Sequence, residues 1–146
     1  MSKYVIHTSI DISTDPQRVW YVLKDFDGYT EWNPFLLSIT GGKSIGSILS
    51  ITINPDYFIN KTIDARLLEC SKEKGIRWHG SFWVPHVFTG DHSFEILPMK
   101  SGVTFIQEEE FSGILVPILK RTLGRKTKKG FEEMNRALKA RSEKVA

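Results

Sequence analysis

A histidine, a glutamine and a glutamate stand at alternate positions on two stretches that read as neighbouring strands. On Phe88–Leu97, residues Gly90, His92, Phe94 and Ile96 share one face; on Val103–Phe111, residues Val103, Phe105, Gln107, Glu109 and Phe111 share one. These faces carry the large apolar residues, so they are expected to point inward and to take His92, Gln107 and Glu109 with them. A two-residue turn at Lys100-Ser101, with Met99 opposite Gly102, pairs Ile96 with Phe105, Phe94 with Gln107 and His92 with Glu109. Directly opposed residues lie roughly 5 Å apart at the β-carbon. A slip of one residue would turn one apolar face outward and is disfavoured; a slip of two would set His92 against Gln107 or Phe111. A His–Glu pair in an apolar interior has three uses. It can act as a general acid/base with the glutamate orienting the imidazole, it can polarise a ligand carbonyl or hydroxyl, or each partner can simply satisfy the other's hydrogen bonds.

Other residue types offer less. Asn33, between Trp32 and Pro34, can aim its amide at a ligand or tie down its own loop through an Asx-type bond, and the loop role is the expected one. Trp20, Trp32, Trp78, Phe82, Phe94, Phe105 and Phe131 could line a cavity, but such an aromatic set is more often plain core. Glu108-Glu109-Glu110 is not a three-carboxylate site, because alternation sends only Glu109 inward. His79 faces away from Trp78, and no His/Cys cluster has ligand spacing, so no metal is expected. Cys70 and Ser112 lack a base partner for nucleophilic catalysis. No phosphate-cradling glycine loop or nucleophile elbow is present, and no cofactor is expected.

The elements that must position the pair follow from periodicity. Lys3–Ile12 reads as a strand; Asp15 caps a short helix with Pro16 in its first turn, and Val19, Trp20, Leu23 and Phe26 form its apolar face. Asp27-Gly28 ends it, and Tyr29–Trp32 reads as one further turn. Strands are predicted at Phe35–Thr40, Ser47–Asn54, Lys61–Ser71, Ile76–Trp83, Phe88–Leu97 and Val103–Phe111, with short connections that favour antiparallel neighbours. Leu119, Leu123, Phe131, Met134 and Leu138 then form one stripe of a long helix. Gly124 and Gly130 weaken it locally, marking a bend or a close approach. The expected class is α+β, one domain over 1–146: a seven-stranded antiparallel sheet in the order β-α-α-β6-α, burying its face on the long helix.

With 40% hydrophobic and 25% charged residues, neither disorder nor a fibre is indicated. Met1–Ile12 lacks the pattern of a signal peptide, the cluster Ile114–Leu119 is too short to span a bilayer, and Cys70 is the only cysteine. A reducing, cytoplasmic setting without stable membrane insertion is expected. The net charge of +3 is uneven: from Lys120 onward there are ten Lys/Arg and three Glu, so the rest of the chain is acidic. Such a basic helix is usually a solvated face; weak contact with an anionic surface is the alternative, and no nucleic-acid partner is expected.

The order of several short segments resembles the START-like (SRPBCC) superfamily, and within it the small bacterial polyketide cyclase/dehydrase-like group. These are Asp15-Pro16-x-x-Val19-Trp20, Glu31-Trp32-Asn33-Pro34-Phe35, Arg77-Trp78, Gly90-x-His92-x-Phe94, Glu109-x-Phe111-x-Gly113, and Gly130-Phe131-x-x-Met134-Asn135-x-Ala137-Leu138-Lys139. The resemblance spans nearly the whole chain. It implies a helix-grip fold, a curved sheet wrapped on the C-terminal helix with an internal cavity, and a lipid, polyketide or aromatic ligand. On that reading Trp32, Asn33, Trp78, Phe82, His92, Phe94, Phe105, Gln107, Glu109 and Phe131 are the candidate ligand-binding residues. It also implies a narrower or more polar mouth at His86, where relatives often have a small residue. Three functions stay open: a non-catalytic binder or carrier of a small hydrophobic molecule, a cyclase/dehydratase with His92 and Glu109 in acid/base roles, and an interaction module using the basic helix.

Overall fold

The computed structural model describes residues 3–58, 61–82 and 86–144. Strand β1 (Lys3–Ile12) leads to helix α1 (Pro16–Lys24), a 3-10 turn (Phe26–Gly28) and the single turn α2 (Tyr29–Trp32). Strands β2 (Leu36–Gly41), β3 (Ile48–Ile53), β4 (Thr62–Ser71), β5 (Gly75–Ser81), β6 (Thr89–Met99) and β7 (Gly102–Ser112) follow. The chain closes with α3 (Val116–Thr122), a π-helical stretch (Leu123–Thr127) and α4 (Lys128–Glu143), which run on without a break. The seven strands form one antiparallel sheet in the order β1-β7-β6-β5-β4-β3-β2. This is the α+β helix-grip architecture expected from the periodicities and the resemblance. Of the expected fifth strand, Trp83 lies outside the described residues, as do Val84 and Pro85 of the connection after it.

Local chemistry explains the elements. Asp15 accepts a hydrogen bond from the Arg18 N–H at 2.8 Å, and Pro16 supplies the fixed φ of the first turn, a cap worth about 1 kcal/mol. Alternation along β7 is complete: every second residue from Val103 to Phe111 is buried and the rest are half-exposed. Irregular register in β2, between Leu36 and Ser38, and in β4, between Leu67 and Glu69, marks bulges that add curvature to the sheet. The concave face meets the C-terminal helix, whose stripe of Leu123, Phe131, Met134 and Leu138 is fully buried. Each of these side chains contributes about 2 kcal/mol by leaving water.

The two glycines of that helix mark close approaches. A β-carbon on Gly130 would stand 2.5 Å from Phe35 and 2.8 Å from Tyr57, and one on Gly124 would stand 2.5 Å from the Tyr4 hydroxyl. The helix lies nearer the sheet and the β3–β4 connection than any side chain would permit. Thr127, in the π-helical stretch, donates from its hydroxyl to the Tyr57 carbonyl at 3.0 Å and fastens that connection to the helix.

Candidate functional site

The β6–β7 hairpin has the register expected from the sequence: Met99 faces Gly102, Ile96 faces Phe105, Phe94 faces Gln107 and His92 faces Glu109. His92, Gln107 and Glu109 are all buried, while Glu108 and Glu110 point to the other face and pair with His7 and Lys3 of β1. His79 is exposed on the side opposite Trp78.

His92 is held at both ring nitrogens. Nδ1 lies 3.0 Å from Glu109 Oε1 and Nε2 lies 2.9 Å from Gln107 Oε1. The chain continues beyond the hairpin. Gln107 Nε2 donates to Asn135 Oδ1 at 2.7 Å and to the Phe131 carbonyl at 3.4 Å. Asn135 Nδ2 donates to Thr8 Oγ1 at 2.9 Å, and the Thr8 hydroxyl donates to the Gln107 carbonyl at 3.0 Å. The five side chains come from β1, β6, β7 and α4, and all are buried.

The directions of these bonds assign the protons, as hydrogen-bond networks do where hydrogens are not seen. Backbone carbonyls only accept, so Thr8 donates to Gln107 and its oxygen accepts from Asn135. The Asn135 oxygen then accepts from the Gln107 amide nitrogen, whose second acceptor is the Phe131 carbonyl. Gln107 Oε1 is left as an acceptor and requires a proton on His92 Nε2. The Nδ1–Oε1 contact therefore holds one further proton, shared between imidazole and carboxyl group. A proton carried by either partner satisfies this 3.0 Å contact.

Around this chain the environment is aromatic. The imidazole lies 5.2 Å from Trp78, 4.9 Å from Phe94 and 5.0 Å from Phe131, ring centre to ring centre. Gly90 makes room for the carboxyl group: a β-carbon there would fall 2.1 Å from Glu109 Oε2 and 2.9 Å from the Phe82 ring. Beyond the pair lies an interior cavity lined by Phe35, Leu36, Ile51, Ile53, Phe58, Ile63, Trp78, Phe82, His92 and Glu109. Its volume is about 10 Å³, enough for about one water. The space is small because Phe58, Phe82, Phe88 and Phe111 pack against one another, with ring centres 4.7–6.4 Å apart.

Of the candidates named from sequence, Trp78, Phe82, His92 and Glu109 line this cavity. Phe94, Phe105, Gln107 and Phe131 stand in the packed layer around it: Phe94 stacks on Phe105 at 5.7 Å, and Phe131 meets Phe35 at 5.4 Å. Trp32 is half-buried, packs on Tyr29 and lines a surface groove with Arg18, Tyr21 and Arg141. Asn33 ties its loop, its Oδ1 accepting from the Phe35 and Leu36 N–H groups at 2.9 Å each, while its buried Nδ2 has no hydrogen-bond partner among the described residues. Trp20 is buried core. His86 is exposed with φ 71°. Sequence reasoning missed Thr8 and Asn135 as members of the polar chain. Both carry a signal: Thr8 sits on the inward-facing alternation of Lys3–Ile12, and Asn135 interrupts the apolar stripe four residues after Phe131. Phe58 was also missed, because it lies in a connection that has no periodicity to read.

Comparison with known proteins agrees with this architecture. The family model described as "Polyketide cyclase / dehydrase and lipid transport" matches residues 4–143. Among solved structures, the chain is similar to the Zhui aromatase/cyclase from a Streptomyces species, with a TM-score of 0.79 and 13% identity over 97% of this chain and 94% of that one. It is similar to norcoclaurine synthase from Thalictrum flavum, with a TM-score of 0.75 and 13% identity over 99% and 96%. It is also similar to protein MLL2253 from Mesorhizobium loti, with a TM-score of 0.77 and 18% identity over 98% and 99%. At these identities the likeness concerns the fold. No curated protein matches the chain by sequence.

Proposed function

The chain belongs to the polyketide cyclase/dehydrase and lipid transport family, and from that premise we propose that it encloses a small, largely apolar molecule between the sheet and the C-terminal helix. One observation carries this reading: eight of the ten residues lining the interior cavity are apolar, and the two polar ones are the hydrogen-bonded His92 and Glu109. An apolar wall with one fixed polar point is the chemistry of a site that orients a hydrophobic ligand by a single carbonyl or hydroxyl. The ligand enters by displacing the rings of Phe58 and Phe82, which now occupy most of the space. Trp78 and the isoleucines of β3 and β4 then form its walls.

The direct test is mass spectrometry of an organic extract of the protein purified from its own organism, beside an Ile51→Trp variant that fills the cavity. A single compound near one equivalent in the natural protein and absent from the variant supports the reading and names the ligand class. Equal recovery from both proteins places the compound outside the cavity and counts against it.

The shared proton favours a second reading, an enzyme of the cyclase/dehydratase type. In that reading Glu109 and His92 move a proton to or from a ligand oxygen or an adjacent carbon, and Gln107, Asn135 and Thr8 hold the imidazole in place. The family's name and the cyclase among the similar folds support this class of reaction. His92→Ala tests this second reading: the enzyme loses turnover while its affinity for the ligand changes little, and turnover left intact removes His92 from the chemistry.

A further inference from the structure

From Phe111 to Phe131 the chain carries six cations, Lys120, Arg121, Arg125, Lys126, Lys128 and Lys129, and no acidic residue. All six are exposed, and none forms an ion pair or side-chain hydrogen bond with a described residue. The contrast with the rest of α4 is sharp, where Arg136 pairs with Glu133, Lys139 with Glu143 and Arg141 with Glu31. Beside these free cations two isoleucines stand out from the surface, Ile114 at 66% and Ile118 at 74% exposure, with Pro117 exposed between them. Ile118 shares one open surface with Tyr4, Pro117, Lys120, Arg121 and Arg125.

We infer that this end of the C-terminal helix docks on an anionic lipid bilayer, with Ile114 and Ile118 entering the interfacial layer and the six cations lying among the headgroups. Charge complementarity brings the face to the surface, and the isoleucines add the apolar burial that a purely electrostatic contact lacks. Ile118 and Pro117 line a wide, open depression with Lys120, Arg121 and Arg125, so apolar and cationic groups are presented together, as contact with an anionic lipid interface requires. The position also suits a hydrophobic cargo. A surface groove of about 220 Å³ lies along the same helix between Thr122, Leu123, Lys126 and Thr127 and the connection Pro55–Phe58, and Phe58 is common to that groove and to the interior cavity. The docking rests on the exposed face and not on what the cavity holds, so it can fail while the ligand-binding reading stands.

The experiment is co-sedimentation of the full chain with vesicles of phosphatidylcholine alone and of phosphatidylcholine mixed with phosphatidylglycerol. It is run at low and high salt, with thermal melting to verify the fold of each variant. The expected result is binding to the mixed vesicles only, weakened by salt. Each cation removed, as in Lys126→Gln or Lys128→Gln, lowers partitioning about fivefold. Replacing both isoleucines, Ile114→Ser with Ile118→Ser, lowers it about tenfold or more. Absence of binding to mixed vesicles at low salt overturns the proposal. So does binding that the isoleucine variant leaves unchanged, which would make the contact purely electrostatic, with no insertion of the isoleucines. The substituted side chains are exposed, so a variant that fails to bind while melting as the natural protein does reports on the face itself.

Discussion

Five buried polar side chains form one directed chain, Thr8, Asn135, Gln107, His92 and Glu109, and each has its partner within the chain. Buried polar groups are costly when unpaired, so such a chain persists only if every member is satisfied. A proton on Nε2 facing Gln107 leaves one further proton between Nδ1 and Glu109. This yields a prediction at the scale of one atom. In Glu109→Gln the amide N–H donates to Nδ1 of neutral His92, so the hydrogen bond survives and the proton held between the two groups is lost. Stability by urea denaturation is expected to change by about 1 kcal/mol or less, while any turnover that depends on proton transfer disappears. Retained turnover in this variant would remove the pair from the chemistry and leave it a binding role.

The long C-terminal helix is the element that closes the fold, and its last turn is tied to the first strand. Glu143 accepts from the Ser13 N–H at 2.7 Å and from Lys139 Nζ at 2.6 Å. The hydrogen bond from Lys139, then that from Ser13, holds its carboxyl group below the ordinary glutamate range. A lowered folded-state pKa means the charged form favours the folded chain. The contribution is present above the unfolded value and is lost as pH falls through the lower folded value. Melting temperatures of the natural protein and of Glu143→Gln should therefore differ at neutral pH and converge in acid; a gap that persists at low pH would assign the effect to packing. Arg18 reinforces the same end, donating to the carbonyls of Arg141 and Ser142 at 3.3 Å each. In the middle of the helix, Gly124 and Gly130 trade helix propensity for closeness to Tyr4, Phe35 and Tyr57.

Across the whole molecule, the space between sheet and helix is occupied mainly by the protein's own rings. Phe58 touches Phe82, Phe88 and Phe111 and lies between the surface groove and the interior cavity. Removing it should open a passage at the expense of packing. Phe58→Ala is expected to lose about 3–5 kcal/mol of stability. Small apolar molecules such as indole should then raise its melting temperature more than that of the natural protein, because ligand binding to the folded state is linked to stability. An equal response in both proteins would mean that neighbouring rings collapse into the space.

The sequence by itself determined the strands, the hairpin register and the inward direction of His92 and Glu109, because alternation along a strand and a two-residue turn are local rules. It also determined the apolar stripe of the C-terminal helix from Leu119 to Leu138, of which Leu119 is only half-buried and the rest fully buried. Tertiary structure alone decided that the helix lies close enough for Asn135 to meet Gln107 and for Thr8 to complete the chain, since those partners are 28 and 127 residues apart along the sequence. It decided as well that the interior is closed by aromatic rings: Phe58 comes from an irregular connection, whose path is set by what it packs against and not by any period in its residues.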